Sequence, residues 1–178
     1  MSQIRFGSRI DDSEINLRTD TIRSLFAVIL RLLIGYVFFI AGWEKLTAAD
    51  PFDAGGYLSG AASAGSPAAG VFDWMSATPL AVEFVNVAIP WGELLVGLGL
   101  LVGAFTRLAA AWGAFMMGMV YLGNWTVSSG VVVTREFEYL IVVLSVAAFS
   151  AGRVFGADAY LERLDVVQRH PWLRSVLG

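Results

Sequence analysis

Charged residues interrupt the first two long apolar stretches of the sequence. Arg31 and Lys45 lie in the first stretch, and Glu83 and Glu93 lie in the second. Charged side chains are costly inside a bilayer, so they usually face a protein interior or water and often mark functional sites. Arginine and lysine donate hydrogen bonds to oxygen atoms, and a carboxyl group accepts a proton when burial raises its pKa. These four residues are therefore the first candidates for ligand binding and proton transfer.

The first apolar stretch has one face made of small and charged residues. Its members repeat at spacings of four, three, four and three residues: Arg31, Gly35, Phe38, Gly42 and Lys45. Such spacing puts all of them on one side of an α-helix, and glycines let a neighbouring membrane helix approach closely. The pattern predicts an interior helix face with a positive charge at each end.

The second apolar stretch supplies acidic partners for this face. Glu83 and Glu93 are separated by about 15 Å along a helix, and consecutive membrane spans are antiparallel. The sequence therefore predicts a buried Arg31–Glu93 pair at mid-depth. Near the outer surface it predicts that Lys45 pairs with Glu83 or Glu44. Two interpretations of these pairs stay open, because a buried ion pair can serve a ligand or can merely neutralise its own charges.

Polar and aromatic residues near the ends of two later apolar stretches extend this set. They are Asn124, Trp125, Arg135, Glu136, Glu138 and Tyr139. We predict a ligand pocket at the level of the outer leaflet, formed by Lys45, Glu83 and Glu138. Trp125 is its predicted apolar wall. Lys45 suits a ligand oxygen, since an ammonium group carries three donors on a flexible stem. The alternative is a solvated rim in which Lys45 only anchors the helix at the lipid head groups.

Composition excludes several kinds of site. The 178 residues include no cysteine and a single histidine, His170, which lies in a polar segment. Disulfides, thiolate metal sites and cysteine-ligated iron–sulfur clusters are therefore excluded, as is bis-histidine haem ligation within one chain. We predict no metal site, and the sequence assigns no catalytic residue. The formal charge of −3 and the absence of a basic stripe argue against nucleic acid as a partner.

The composition also predicts a membrane protein. Hydrophobic residues make up 57% of the sequence and charged residues 15%, whereas about 25% of residues are charged in soluble domains. Four apolar segments are long enough to cross a bilayer: about 24–45, 80–105, 108–124 and 135–152. We therefore predict an all-α, four-helix membrane bundle over residues 24–152. Residues 1–23 and 153–178 are predicted to be a polar N-terminal tail and an amphipathic C-terminal tail.

The distribution of basic residues predicts the topology. The two tails and the turn at Arg107 hold most of them, whereas Lys45 and Arg135 are the two on the opposite side. Because cytoplasmic segments are enriched in Arg and Lys, we predict a multi-pass cell-membrane protein with both termini in the cytoplasm. Residues 47–79 then form a long outer loop, in which short helices are expected around residues 52–58 and 68–76.

Several short motifs together resemble the DoxX/DoxD-like family of four-helix membrane proteins. In chain order they are Arg31-x3-Gly35, Gly42-x2-Lys45, Gly92-Glu93, Gly97-Leu98-Gly99-Leu100-Leu101-x-Gly103, Thr106-Arg107-x-Ala109-Ala110, and Gly152-Arg153 followed by Asp158. They cover the chain except for the N-terminal tail, the long loop and the extreme C-terminus. Their order and spacing carry the resemblance, since single Gly and Leu motifs are common in membrane helices.

The resemblance implies a function. Some members of this family are the small membrane subunit of thiosulfate:quinone oxidoreductase, in which a quinone accepts electrons with the help of a second subunit. By that resemblance the chain is a subunit of a quinone-linked oxidoreductase, with quinone as its non-covalent cofactor. Glu83, Glu93 or Glu138 would then exchange protons with the quinone. The alternative is a non-catalytic membrane anchor or assembly partner of another complex. The candidate partners are membrane lipids, a second oxidoreductase subunit and a second copy of the chain.

Overall fold

The computed structural model describes residues 12–63, 65–125, 130–149, 152–153 and 155–177. The regular secondary structure of these residues is entirely helical, as predicted. The elements are α1 (Asp12–Thr47), α2 (Gly55–Ser63), α3 (Ala69–Ala77), α4 (Pro79–Val102), α5 (Thr106–Gly123), α6 (Arg135–Ala148), α7 (Asp158–Leu161), α8 (Asp165–Arg169) and a 3₁₀ turn, Pro171–Ser175. The first eleven residues of the predicted N-terminal tail lie outside the described part of the chain.

Four of the helices correspond to the predicted apolar segments. Within the described residues, Thr21–Thr47 of α1 and the whole of α4 are long and apolar enough to cross a membrane. α5 has 18 residues and α6 has 14, so they are about 27 Å and about 21 Å long. α1 starts earlier than predicted, at Asp12, because no glycine or proline separates that residue from Ser24.

The four long helices pack around a common apolar core. α1 packs mainly on α4 and α5 mainly on α6, while α4–α5 and α1–α6 contacts connect the two pairs. The buried side chains are small or aliphatic, with one phenylalanine: Ala27, Ile34, Phe38, Val96, Leu100, Ala109, Ala110, Ala114, Val143 and Val146. The helices that carry the candidate charged residues are therefore held by one core.

α1 and α4 approach each other so closely that their backbones touch. A Cβ atom on Gly42 would lie 2.7 Å from the carbonyl oxygen of Pro90, and one on Gly97 would lie 2.7 Å from the Cβ of Phe39. Only glycine fits at such contacts, and small residues allow membrane helices to pack this tightly. The glycine face of α1 thus meets α4, and the contacts fix how far one helix is shifted along the other.

The connection between α1 and α4 folds into a cap formed by α2 and α3. α2 packs on α3 and α5, and α3 packs on the beginning of α4. Asn86 of α4 accepts a hydrogen bond from the backbone N–H of Ala54 at 2.7 Å. Ala54, Leu58, Ala61 and Phe72 form the buried centre of the cap. Both helices correspond to the short helices expected in this connection. α2 begins three residues later than the start of the first expected range, and α3 begins one residue later than the start of the second.

Residues 152–153 and 155–177 pack against the end of the long helices opposite the cap. Asp158 accepts hydrogen bonds from the backbone N–H groups of Phe105 and Thr106 at 2.7 and 3.0 Å. A carboxylate at this position accepts hydrogen bonds from N–H groups that have no acceptor within the helix. Its negative charge also interacts favourably with the positive end of the helix dipole. The carbonyl of Val176 accepts a further hydrogen bond from the N–H of Leu108 at 3.2 Å. The predicted amphipathic tail therefore also completes the N-terminus of α5.

The α1–α4 contact predicts the effect of enlarging Gly97. Gly97→Leu places a side chain against the backbone of Phe39, so we expect a loss of about 2–3 kcal/mol of stability from overpacking. Thermal unfolding of the purified protein in detergent measures the loss. Gly118→Ala in α5 is the matched control, because its added Cβ would meet no atom within 4 Å. That change should be neutral or stabilising, as alanine is the better helix former. A Gly97→Leu protein as stable as the control would contradict the close packing.

Candidate functional site

Lys45 in the last turn of α1 and Glu93 in the middle of α4 form an ion pair. Lys45 Nζ lies 2.6 Å from Glu93 Oε2, and the two side chains are 29% and 10% exposed. The same Nζ donates to the carbonyl of Ala41 at 3.3 Å and lies 5.9 Å from the centre of the Phe52 ring, within cation–π range. Because an ammonium group has three donors, Nζ can still donate one hydrogen bond to a ligand.

This pair corrects the predicted Arg31–Glu93 and Lys45–Glu83 pairs. The contact of Gly42 with Pro90 and Leu94 puts Glu93 level with the last turn of α1. The prediction aligned the outer ends of the two helices, but α4 begins at Pro79, fourteen residues or about 21 Å before Glu93. Helix lengths alone do not determine this shift, since it depends on which glycines meet which turns.

Arg31 lies at the end of the bundle opposite the cap. Its Nη2 donates to the carbonyl of Phe155 at 3.2 Å, and Asp158 interacts with it electrostatically. Gly103 and Gly156 leave room for the guanidinium, since their Cβ atoms would lie 2.6 and 2.7 Å from Nη1. Arg31 therefore joins α1 to the α4–α5 turn and to residues 155–158. This role is structural and separate from the outer site.

A cavity of about 840 Å³ lies beside the Lys45–Glu93 pair. Its walls come from α1, the cap, α4, α5 and the beginning of α6. Most of the lining is apolar and includes Val37, Phe38, Leu58, Phe72, Met75, Val85, Ile89, Met116 and Met119. A largely apolar cavity of this size with a few converging polar groups is typical of a small-molecule site.

The polar groups of the cavity wall come from three parts of the fold. They are Lys45 and Glu93, then Asp53 and Tyr57 beside and on α2, and finally Arg135, Glu136 and Tyr139 in the first turns of α6. The α6 residues belong to the polar set predicted near the outer surface, but they were not among the four predicted pocket residues. The signal that could have found them is their spacing, because residues 135, 136 and 139 share one side of a helix.

The structure brings one of the four predicted pocket residues into this cavity. Lys45 lines it, whereas Glu83 and Glu138 are exposed and lie outside its lining, as does Trp125. Trp125 instead packs edge-on against Tyr121, with ring centres 6.0 Å apart. The prediction used depth along each helix and had no information about direction around it, so it selected Glu138 in place of its neighbours.

Part of the cavity wall reaches the surface of α4 and α5. Three aromatic residues of its wall are substantially exposed on the outer faces of these helices: Phe84 at 67%, Trp112 at 44% and Phe115 at 56%. Large exposed apolar side chains on an apolar helix are suited to contact with lipid. A cavity whose wall reaches the apolar surface of the bundle suits a ligand that is dissolved in the membrane.

Tyr57 fastens the cap over the cavity. Its hydroxyl donates to the carbonyl of Val120 at 3.1 Å, and its ring lies against Gly123, where a Cβ would be 2.7 Å from Cζ. Burial, followed by the negative charge of Glu136, raises the pKa of Tyr57 to about 12. The phenol therefore keeps its proton at neutral pH, and its hydrogen bond to α5 persists.

A comparison with known protein families identifies the chain. The DoxX family model matches residues 26–127, which is more than half of the sequence. The chain belongs to the DoxX family. Together with the two apolar helices, membership of the DoxX family identifies a small membrane protein. The matched region includes Lys45, Glu93 and the cap, whereas α6 lies outside it. Neither the curated proteins nor the solved structures contain a match to this DoxX protein.

The Lys45–Glu93 pair predicts strong energetic coupling between the two residues. Lys45→Met leaves the mostly buried carboxylate of Glu93 without its partner. We expect a loss of about 3 kcal/mol, the low end for broken buried pairs, because Lys45 is partly exposed. The double change Lys45→Met/Glu93→Gln should recover most of that loss. Thermal unfolding of the four proteins of this double-mutant cycle measures the coupling.

The control for this cycle is Glu83→Gln, which neutralises an exposed carboxylate on the same helix. We expect it to change stability by less than about 0.5 kcal/mol. Additive single and double effects at Lys45 and Glu93 would contradict the pairing.

Proposed function

We propose that this DoxX protein binds an isoprenoid quinone in the cavity and acts as the membrane subunit of a quinone-linked oxidoreductase. The proposed reaction type is oxidation of thiosulfate or another sulfur compound, as the family resemblance implies. The observation that carries the proposal is the Lys45–Glu93 pair in the wall of a largely apolar cavity, part of whose wall is exposed on α4 and α5. Membership of the DoxX family supports the membrane setting.

Lys45 and Glu93 have chemistry that suits quinone reduction. A quinone accepts hydrogen bonds at its two carbonyl oxygens, and Lys45 has one donor left after its bonds to Glu93 and Ala41. Reduction to the quinol adds two electrons and two protons. Lys45 would hold the nearer quinone oxygen by its remaining donor and would be placed to supply one of the two protons there. The other proton, and the one that restores the ammonium group, would come from water.

The electrons come from another protein in this proposal. The sequence has no cysteine and one histidine, so it supplies neither a cysteine-ligated iron–sulfur cluster nor bis-histidine haem ligation. A second subunit that oxidises the sulfur compound would therefore deliver both electrons to the quinone. The DoxX protein would hold the quinone ring and control its protons.

We also propose that α1, α4, α5 and α6 all cross the membrane as one bundle with both termini in the cytoplasm. The shared apolar core supports a single bundle. The excess of arginine in the two tails and at Arg107 supports the orientation. In this arrangement the cap and the Lys45–Glu93 pair lie on the outer side, and Arg31 lies at the cytoplasmic side.

A second candidate function is that of a non-catalytic anchor for another membrane protein. The outer part of α4 favours it, because Leu80, Phe84 and Val87 are more than 60% exposed. A group of exposed apolar side chains at one end of a helix is suited to contact with a protein.

The orientation predicts which single cysteines a membrane-impermeant thiol reagent reaches. The sequence has no native cysteine, so each introduced thiol is a unique reporter. Ser59→Cys on α2 should be labelled in intact cells. Ser175→Cys in the 3₁₀ turn should be labelled only after the membrane is permeabilised. Both serines are exposed in the structure. Labelling of Ser175→Cys from outside would overturn the orientation.

The quinone proposal predicts that protein purified in mild detergent carries bound quinone. Extraction and mass spectrometry should find quinone in the wild type and about tenfold less in Lys45→Met, as loss of a charge-assisted hydrogen bond requires. Ala88→Trp should have the same effect by filling the cavity without changing a charge, since Ala88 lines it.

The matched control is Glu138→Gln, which changes an exposed carboxylate outside the cavity and should retain the bound quinone. Full retention of quinone by folded Lys45→Met and Ala88→Trp proteins would disprove the cavity as its site. Wild-type protein that yields phospholipid and no quinone would favour the anchor function.

A further inference from the structure

A groove of about 410 Å³ runs along the outer side of α4 and α5. Its lining has no charged side chain and includes Leu95, Leu98, Gly99, Val102, Leu108 and Trp112. Leu95 and Val102 are two helical turns apart, so the groove is about 10 Å long. Leu95, Val102 and Leu108 are each more than half exposed, and the groove is therefore open towards the lipid side.

Trp112 belongs both to this groove and to the cavity that holds the Lys45–Glu93 pair. Its indole packs on α4 at Gly92, where an added Cβ atom would lie 2.9 Å from Trp112 Nε1. The next residue along α4 is Glu93. The cavity and the groove therefore meet at a single tryptophan, one residue from the ion pair.

We propose that the groove holds the polyprenyl tail of the ligand whose head group occupies the cavity, with Trp112 at the junction between the two. This inference rests on the proposed function and names the part of the quinone that determines affinity. The head group lies against Lys45 and Glu93. The tail leaves the cavity past Trp112 and follows α4 from Leu95 to Val102, towards the inner end of the helix.

The position of the groove favours a tail of this kind over the acyl chain of a surrounding phospholipid. A phospholipid chain starts at the head-group level, where its phosphate needs cationic or hydrogen-bonding partners. The groove follows α5 from Leu108 to Trp112, and Trp112 is a residue of the cavity wall as well. A compact ring with one long apolar tail fits this arrangement. The polar ring would lie beside the charged groups of the cavity, and the apolar tail would lie against the uncharged lining of the groove.

The test compares two probes on three proteins. The probes are 2,3-dimethoxy-5-methyl-1,4-benzoquinone without a tail and the same ring with a tail of several prenyl units. The proteins are the wild type, Leu98→Trp, which fills the groove, and Leu33→Trp, which puts the same side chain on the exposed face of α1. Each dissociation constant is measured in the same detergent by quenching of tryptophan fluorescence.

We expect the wild type to bind the tailed quinone more tightly than the tailless one. Leu98→Trp should weaken binding of the tailed quinone about tenfold and change the tailless quinone by less than roughly twofold. Unchanged binding of the tailless probe also reports an intact fold. Leu33→Trp should match the wild type with both probes. If Leu98→Trp does not fold, Val102→Trp replaces it at the far end of the groove.

Three results would overturn the inference in different ways. Equal binding of the tailed probe by Leu98→Trp and the wild type would exclude the groove as the site of the tail. The cavity would remain the proposed site of the quinone ring. Equal losses for both probes would show that the groove is not a separate tail site. No binding of either probe by the wild type would instead reject the proposed function, and the tail site with it.

Discussion

The backbones of α1 and α4 meet at Gly42 and Gly97, and the depth of every charged side chain on these helices follows from that contact. A helix pair with larger side chains at these positions would separate and could slide, because packing between apolar surfaces is tolerant of small shifts. Backbone contact at two levels removes that tolerance. It brings Glu93 to Lys45, and it leaves Arg31 at the level where α4 ends.

Two cations on one face of α1 therefore have different surroundings. Lys45 pairs with a carboxylate next to a large cavity and keeps a donor for a further partner. Arg31 is enclosed by the α4–α5 turn and by residues 155–158, whose carbonyl and carboxylate groups surround its guanidinium. A planar guanidinium with five donors suits several fixed acceptors. A flexible ammonium suits a wall whose other side must accommodate a ligand.

Much of this fold could be predicted from the sequence, and the reasons differ from one feature to another. The apolar segments predicted the bounds of α4, α5 and α6 closely. The helix-forming runs end at Gly103 for α4, in the loop at residues 124–134 for α5, and beyond Ala148 for α6. The glycine spacing on α1 identified its packed face, since spacing on a single helix depends only on helical geometry. The partners of Arg31 and Lys45 required the shift between two helices, which sequence spacing does not contain. Glu138 was chosen wrongly for a similar reason, because its depth matched the pocket but its direction around α6 did not.

The hydrogen bonds at the N-terminus of α5 also constrain the order in which parts of the protein can fold during synthesis. The N–H groups at the beginning of α5 are bonded to Asp158 and Val176, more than fifty residues later in the sequence. α5 leaves the ribosome before either acceptor has been synthesised, and domains generally fold from the N-terminal side as they emerge. The end of the bundle opposite the α2–α3 cap can therefore close only after α6 has been made and the chain has returned to α5. Formation of the helices and closure of this end are thus separate events in the biogenesis of this protein.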